Sequence, residues 1–156
     1  KFFPEAHHKF LSYIPKDHQN NILLWFYKQL NVKEKSTNLQ AAAVWAEYEN
    51  SCSTLKYVER PMSGEKSLAI AKIETHYFVN KCFISDNFIK KNIEKIAHIP
   101  AIIVQGRHDV ICPPFNALDL SKLWNAASID VIEDAGHSGF EDNVARKLIN
   151  ALYMIK

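Results

Sequence analysis

Apolar residues recur three or four positions apart along the chain up to about Pro100, which is the spacing of one helix face. This spacing predicts an almost wholly helical region. Three runs carry the pattern: Ile22, Leu23, Phe26, Tyr27 and Leu30; then Ala41, Val44, Trp45, Tyr48 and Cys52; and then Leu68, Ala71, Ile73, Tyr77 and Phe78.

After Pro100, short unbroken apolar runs replace the helical spacing. Residues 101–106 and 129–132 have the length and composition of strands that are buried on both faces. Between them, Pro114 is a favoured first residue for a helix that continues to about Trp124. Strand, helix and strand in this order predict a parallel pair with a crossover connection.

A second helix is predicted after the second strand. Ser138-Gly139-Phe140-Glu141 fits the S-x-x-E capping box that opens a helix. Two parallel strands are too few for a stable doubly wound sheet, so this region is predicted to be the end of a larger fold. The helix would carry an apolar stripe formed by Phe140, Val144, Leu148, Leu152 and Ile155.

Composition narrows the classes of protein and partner. The 156 residues are 47% hydrophobic, which is ordinary for a globular chain and too high for a disordered one. A net charge of +2, from 19 basic and 17 acidic residues, gives no basic field, so no nucleic-acid partner is predicted. No run approaches the roughly 20 apolar residues of a membrane span, so no membrane partner is predicted either.

The cysteines and histidines indicate the compartment and argue against a metal. Three widely spaced cysteines, Cys52, Cys82 and Cys112, predict no disulfide framework and a reducing, cytoplasmic location. Cys112 is expected to be a buried structural thiol. The histidines lack the spacings of metal-binding motifs, so neither a metal nor another cofactor is predicted.

A carboxylate and an imidazole follow the two predicted strands. Asp109 comes just after strand 101–106, and His137 follows strand 129–132 after a glycine. Reactive groups of parallel sheets lie past the carboxyl ends of the strands, and this is the order of the last two members of a Ser…Asp…His triad. Alone, Asp109 could be a turn residue and His137 a polar loop residue; the pair favours catalysis.

The nucleophile of such a triad is missing from the sequence. None of the serines lies in a G-x-S-x-G elbow, and the lookalike at residues 136–139 has the wrong spacing. The sequence also opens at Lys1 without an initiator methionine. We therefore expect the serine in an upstream half, and we expect these residues alone to be inactive.

Five segments resemble the C-terminal half of the proline iminopeptidases (prolyl aminopeptidases), which are serine peptidases of the α/β-hydrolase fold. The resemblance implies that residues 1–97 form a helical cap and that residues 98–156 are the last strands and helices of the hydrolase domain. The segments are FFPEAHHKFLSYIP, AAAVWAEYENSCSTL, AKIETHYFVNKCFI, IPAIIVQGRHDVICPP and AGHSGFEDNV.

The resemblance implies release of an N-terminal proline from peptides, with Asp109 and His137 as triad residues. It further implies that Glu49, in W-x-x-[WY]-E, and Glu74, in I-E-x-H-Y-F, bind the free amino group of the substrate. The spacing puts Glu74 on an apolar helix face, where a carboxylate needs a cation. An ion pair with lysine or arginine is the alternative for Glu74, and a solvated side chain is the alternative for Glu49.

Three functions stay open at this point. The chain is a segment of a proline-releasing serine exopeptidase, a non-catalytic truncated product or binding remnant, or part of another capped α/β-hydrolase that acts on small esters or amides. The expected partners are small peptides with an N-terminal proline. A second copy, or the missing N-terminal half, is also expected across the edge of the sheet.

Overall fold

A computed structural model describes residues 2–58 and 64–154 of the chain. The described part is mostly helical and contains a two-stranded parallel sheet, as the sequence predicts. The helices are α1 (Pro4–Ser12), α2 (Ile22–Leu30), α3 (Lys35–Ser53), α4 (Gly64–Val79), α5 (Phe88–Asn92), α6 (Pro114–Leu123) and α7 (Asp142–Met154), and the strands are β1 (Ala101–Gly106) and β2 (Ala127–Ile132).

The chain divides into two compact units whose segments alternate in sequence. The helical unit comprises Lys1–Ser51 and Val58–Ser85, and the sheet unit comprises Cys52–Tyr57 and Asp86–Lys156. The short segment from Cys52 to Tyr57 therefore belongs with the sheet, although no periodicity in the sequence indicates it. The assignment of residues 1–97 to a cap and 98–156 to a hydrolase domain stays a prediction.

Aromatic rings form the core of the helical unit. Phe26 is fully buried and stacks on Phe10 with ring centroids 4.9 Å apart, and Tyr48 stacks on Phe10 at 4.3 Å. The Trp45 ring meets Phe26 edge-on at 5.3 Å. The remaining buried residues of this cluster are Ile14, Leu30, Ala41, Ala42, Leu68 and Ala71. The apolar spacing of α2 and α3 thus marks faces that pack in this core. On α4 the prediction was partly wrong, because Leu68 and Ala71 are buried whereas Ile73, Tyr77 and Phe78 are exposed.

The sheet unit is a β-α-β crossover. Strands β1 and β2 pair in parallel from Ala101 opposite Ala127 to Gly106 opposite Ile132, and α6 connects them. Strand β1 has its predicted bounds, whereas β2 begins two residues before the predicted Ile129. The expectation of fully buried strands was wrong, because most strand residues are half-buried. Each strand has one neighbouring strand within the described ranges, so burial is incomplete.

Helix α7 differs from its prediction at its start and on its buried face. It begins at Asp142, so Ser138 and Glu141 do not form a capping box. Val144 and Ala151 are its buried residues, whereas Leu152 of the predicted stripe is 75% exposed. Phe140 and Leu148 are exposed as well, and Ile155 lies outside the described residues.

None of the helices in the described ranges has both the length and the apolar character that a membrane crossing needs.

Candidate active site

Two loops meet at the carboxyl ends of the parallel strands. The backbone N–H of Arg107 donates to the carbonyl of Ile132 at 2.9 Å, and that of His108 donates to the carbonyl of Ala135 at 2.9 Å. A Cβ atom on Gly106 would lie 1.9 Å from the carbonyl oxygen of Gly136. Only glycine fits at position 106, and this close approach brings the loop after β1 against the loop after β2.

The close approach joins the two residues that the sequence singles out. His137 Nδ1 lies 3.0 Å from Asp109 Oδ2, which is hydrogen-bond distance. The side chain of Asp109 is 6% exposed and that of His137 is 38% exposed. The contact therefore has one buried member that is fixed in place and one member that solvent reaches.

Four donors surround the carboxylate of Asp109. Oδ1 accepts the backbone N–H groups of Ile111 at 3.0 Å and Cys112 at 2.8 Å. Oδ2 accepts Gln105 Nε2 at 3.2 Å in addition to the His137 ring nitrogen. The donors satisfy both oxygens and fix the direction in which Oδ2 meets the imidazole.

Gln105 is a contributor that sequence reasoning missed. Its amide donates to Asp109 and also to the carbonyl of Cys112 at 3.2 Å, so it joins the end of β1 to the loop that follows. A polar residue at the end of an otherwise apolar strand, four positions before an aspartate, is the signal that could have identified it.

Cys112 lies beside this site, and the expectation that it is buried was wrong. Cys112 is an exposed residue of the loop after β1, and its backbone N–H donates a hydrogen bond to Asp109. Partial desolvation of the thiol, followed by the nearby Asp109 charge, raises the pKa of Cys112 above its ordinary value. A raised pKa disfavours the thiolate, so this cysteine is poorly suited to be a nucleophile.

The loop that carries His137 is held by a distant segment at the end of α3. We call residues 53–55 the strap. The carbonyl of Ser53 accepts the backbone N–H groups of both His137 and Ser138, each at 2.8 Å. A Cβ atom on Gly136 would lie 2.9 Å from the backbone nitrogen of Leu55, so the loop and the strap are in direct contact. Nothing in the local sequence around His137 predicts this support.

The two predicted amine-binding glutamates lie together in the helical unit. Trp45 Nε1 donates to Glu74 Oε2 at 2.8 Å, and the Glu49 carboxyl group is hydrogen-bonded to Glu74. Trp45 and Glu49 are four positions apart on α3, so they share a face of that helix. The structure thus brings the two carboxyl groups into one cluster with an indole donor.

The neighbouring carboxyl groups disfavour the ionised form of Glu49. Burial, and then the charge of Glu74 and its hydrogen bond, raise the pKa of Glu49 to about 8, while the Trp45 hydrogen bond opposes the shift. Within residues 2–58 and 64–154, no lysine or arginine forms an ion pair with Glu74. The alternative of an internal ion pair for Glu74 is therefore not found in these ranges.

The arrangement at the ends of the strands suits acid–base chemistry. His137 has one ring nitrogen on a carboxylate, which is the geometry that orients an imidazole for proton transfer. In the described part of the chain, histidine, cysteine, aspartate and glutamate side chains nowhere gather in threes as metal ligands.

Comparison with known proteins identifies relatives over nearly the whole chain. The chain is 37% identical over 155 residues to the proline iminopeptidase of Arabidopsis thaliana, a match that covers 96% of this chain and 41% of that protein. It is 37% identical over 144 residues to the enzyme of that name from Xylella fastidiosa strain 9a5c, covering 89% and 46%. A probable proline iminopeptidase from Leptolyngbya boryana is 35% identical over 154 residues, covering 96% and 48%. No family model matches the chain.

These matches make the chain a relative of hydrolases, and of peptidases among them. More narrowly, it is similar to the C-terminal part of the proline iminopeptidases, which confirms the resemblance predicted from its motifs. The chain spans about half the length of the curated relatives it matches.

Proposed function

We propose that this chain is the segment of an α/β-hydrolase that supplies the acid–base pair and the amine-binding helices for release of N-terminal proline from peptides. The observation that carries the proposal is the 3.0 Å contact between Asp109 and His137 at the carboxyl ends of two parallel strands. The similarity to proline iminopeptidases supports the choice of reaction.

In this proposal, His137 is the general base and then the general acid. A carboxylate can only accept, so the proton between the two side chains belongs to Nδ1, and the other ring nitrogen, Nε2, is left to take the proton of a serine hydroxyl. The serine attacks the carbonyl carbon of the N-terminal proline. Nε2 then returns the proton to the departing amine as the peptide C–N bond breaks. A water that Nε2 deprotonates next hydrolyses the prolyl-serine ester and releases proline, and Asp109 stabilises the imidazolium in both halves.

The serine and the oxyanion-hole amides come from residues outside these 156. The absence of a G-x-S-x-G elbow from the sequence supports this assignment. The nucleophile-bearing half is accordingly the principal macromolecular partner, and it extends the sheet beside β1 or β2. A second copy at the same edge is the alternative partner, whereas nucleic acid and membrane are not partners. The reducing setting indicated by the cysteines supports a cytoplasmic location.

Glu49 and Glu74 bind the free amino group of the substrate. Two neighbouring carboxyl groups are costly to keep ionised together, and an incoming secondary ammonium offsets that cost. In the interior of a peptide, the corresponding backbone nitrogen is part of an uncharged amide. This difference accounts for exopeptidase specificity, and no metal or other cofactor takes part in the step.

The proposal is tested by joining the chain to the N-terminal half of a curated relative, or by expressing the two together. Hydrolysis of a chromogenic prolyl amide is compared with that of its N-acetyl-prolyl analogue. The assembled protein should hydrolyse the first and spare the second, and the chain alone should hydrolyse neither. Robust hydrolysis by the 156-residue chain would contradict the external serine, and equal rates on both substrates would favour the less specific capped hydrolase.

Variants separate the two roles in the assembled protein. His137→Ala should lower kcat by a factor on the order of 10⁶, the loss seen when a triad base is removed. Glu74→Gln should retain turnover and reduce the preference for the free amine. Glu47→Gln is the matched control, because Glu47 is an exposed residue of the same helix α3 as Glu49. An unchanged amine preference in Glu74→Gln would contradict the glutamate assignment.

A further inference from the structure

The carboxylate of Glu141 connects two backbone segments that are far apart in sequence. Its Oε1 accepts the backbone N–H of Gly136 at 2.7 Å, and its Oε2 accepts that of Leu55 at 3.1 Å. The second contact spans 86 positions. Glu141 thus uses one oxygen on the loop that carries His137 and the other on the strap.

These two bonds complete a ring of contacts around His137. The Ser53 carbonyl of the strap accepts the N–H groups of His137 and Ser138, and Glu141 joins the preceding residue, Gly136, to the next part of the strap. Every backbone N–H from Gly136 to Ser138 therefore has a named acceptor. The loop is held on both sides of the imidazole-bearing residue.

A carboxylate suits this position better than an amide would. Two N–H donors approach from different segments, and a carboxylate offers an acceptor oxygen to each. A glutamine has one acceptor oxygen, so its NH₂ group would face the second N–H donor. Hydrogen bonds to an ionised acceptor are also about twice as strong as neutral ones. The substitution Glu141→Gln therefore removes this bridge with little change in side-chain volume.

We propose that Glu141 is a positioning residue that holds the His137 imidazole against Asp109 by tying the histidine loop to the strap. The inference rests on the proposed function only in taking His137 as the catalytic base. Glu141 does not touch substrate in this scheme. Its effect passes through the backbone of Gly136 to the ring that makes the 3.0 Å contact with Asp109.

A simpler role for Glu141 would be to stabilise α7, since it immediately precedes the first turn of that helix. Asp142→Asn is the matched control for that role. Asp142 is the next residue in the chain, lies in the first turn of α7 and is exposed. A purely helix-stabilising effect would be shared by both acids, whereas loop positioning belongs to Glu141 alone.

The test uses the isotopically labelled 156-residue chain and nuclear magnetic resonance. Two readouts are followed, the exchange-protected Nδ1 proton of His137 and the exchange rates of the Gly136 and Leu55 amides. Glu141→Ala should speed exchange at both amides by about tenfold or more, as expected for loss of a charge-assisted bond, and Glu141→Gln, which keeps one acceptor oxygen, should do so at one of them at least. Both should also abolish protection of the Nδ1 proton. The amides of Val144 and Ala151 in α7 should be unaffected, and Asp142→Asn should behave as the parent.

The outcomes separate this inference from the function on which it rests. A parent chain with a protected Nδ1 proton that persists in both Glu141 variants, at unchanged amide rates, overturns the positioning role. Equal acceleration at Gly136, Val144 and Ala151 assigns Glu141 to general stability and overturns it as well. A folded parent chain without the protected proton instead contradicts the Asp109–His137 pair itself.

Discussion

The two acidic sites of this molecule are built by opposite means. In the sheet unit, Asp109 is surrounded by four hydrogen-bond donors, of which two are backbone N–H groups. In the helical unit, Glu74 has one indole donor and a second carboxyl group, Glu49, as neighbours. The first site is satisfied by hydrogen-bond donors of the fold, whereas the second places two carboxyl groups beside each other.

The difference shows how each site can serve the reaction proposed for it. A carboxylate that must keep an imidazole in one orientation benefits from complete satisfaction, because any free lone pair would allow another arrangement. A subsite that must attract a cation benefits from the reverse, because the bound ammonium then completes it. Helix packing places the two glutamates side by side, while backbone N–H groups in the sheet unit hold Asp109.

The largest effect is expected where packing alone supports a site. Phe26→Ala should lower the free energy of unfolding by about 3–5 kcal/mol, because it empties the centre of the aromatic cluster against which Trp45 packs. Urea unfolding followed by tryptophan fluorescence measures the change. Phe2→Ala is the control, since Phe2 is 83% exposed and should change stability by less than about 0.5 kcal/mol. A loss below about 1 kcal/mol for Phe26→Ala would show that packing does not support the helical site.

A substitution at the meeting point of the two loops should have the next largest effect. Gly106→Ala places a Cβ atom 1.9 Å from the Gly136 carbonyl oxygen, so backbone must move. We expect a loss of about 1–3 kcal/mol together with loss of the protected His137 Nδ1 proton. Gly139→Ala is matched, because its Cβ would meet its nearest neighbour, Leu148 Cδ1, at an ordinary 3.7 Å. Equal free energies of unfolding for the two variants in chemical denaturation would show that the close approach at Gly106 does not limit the residue at that position.

A smaller, pH-dependent effect should distinguish the helical site. The folded chain raises the pKa of the Glu49 carboxyl group to about 8, whereas an unfolded glutamate releases its proton near the ordinary value of 4.5. Stability from this group is thus complete below pH 4.5 and declines as the pH rises toward 8. Unfolding measured across that range should show a shallower decline in Glu49→Gln than in the parent. Glu47→Gln should keep the parental slope, and a parental slope in Glu49→Gln would contradict the raised pKa of Glu49.

The smallest effect is expected for an exposed ion pair beside the ordered site. Arg107 contacts Glu133 through two hydrogen bonds, at 3.0 and 2.6 Å, and both side chains are well exposed. Solvent screens such pairs, so Arg107→Gln should leave the unfolding midpoint and the His137 Nδ1 signal indistinguishable from the parent. A clear loss of that signal would mean that side-chain charge, and not only backbone, fixes the histidine loop.

Sequence alone predicted the parts of the molecule that depend on local pattern. The helical period and the two short apolar runs gave the order of elements, and the position of Asp109 and His137 just past the strands predicted their contact, which is present at 3.0 Å. The assignment of catalytic roles to them, and of amine binding to Glu49 and Glu74, stays a prediction.

Features that depend on distant neighbours could not be predicted in this way. Glu141 fits a local capping box, yet its carboxylate bonds to Gly136 and to Leu55, because donors from a remote segment lie within reach. Strand burial was overestimated for a related reason. An apolar run indicates that its residues favour a buried strand, but the burial they reach depends on how many strands lie beside them.

The strap also has a consequence for how the chain folds. Residues 53–55 belong to the sheet unit but are synthesised well before its strands, and the contact from Leu55 to Glu141 closes a loop of 86 positions. Contacts of such high sequence separation carry a large closure entropy and slow the search for the native topology. We therefore expect the loop that carries the imidazole to reach its final place late in folding, after the local helical structure has formed.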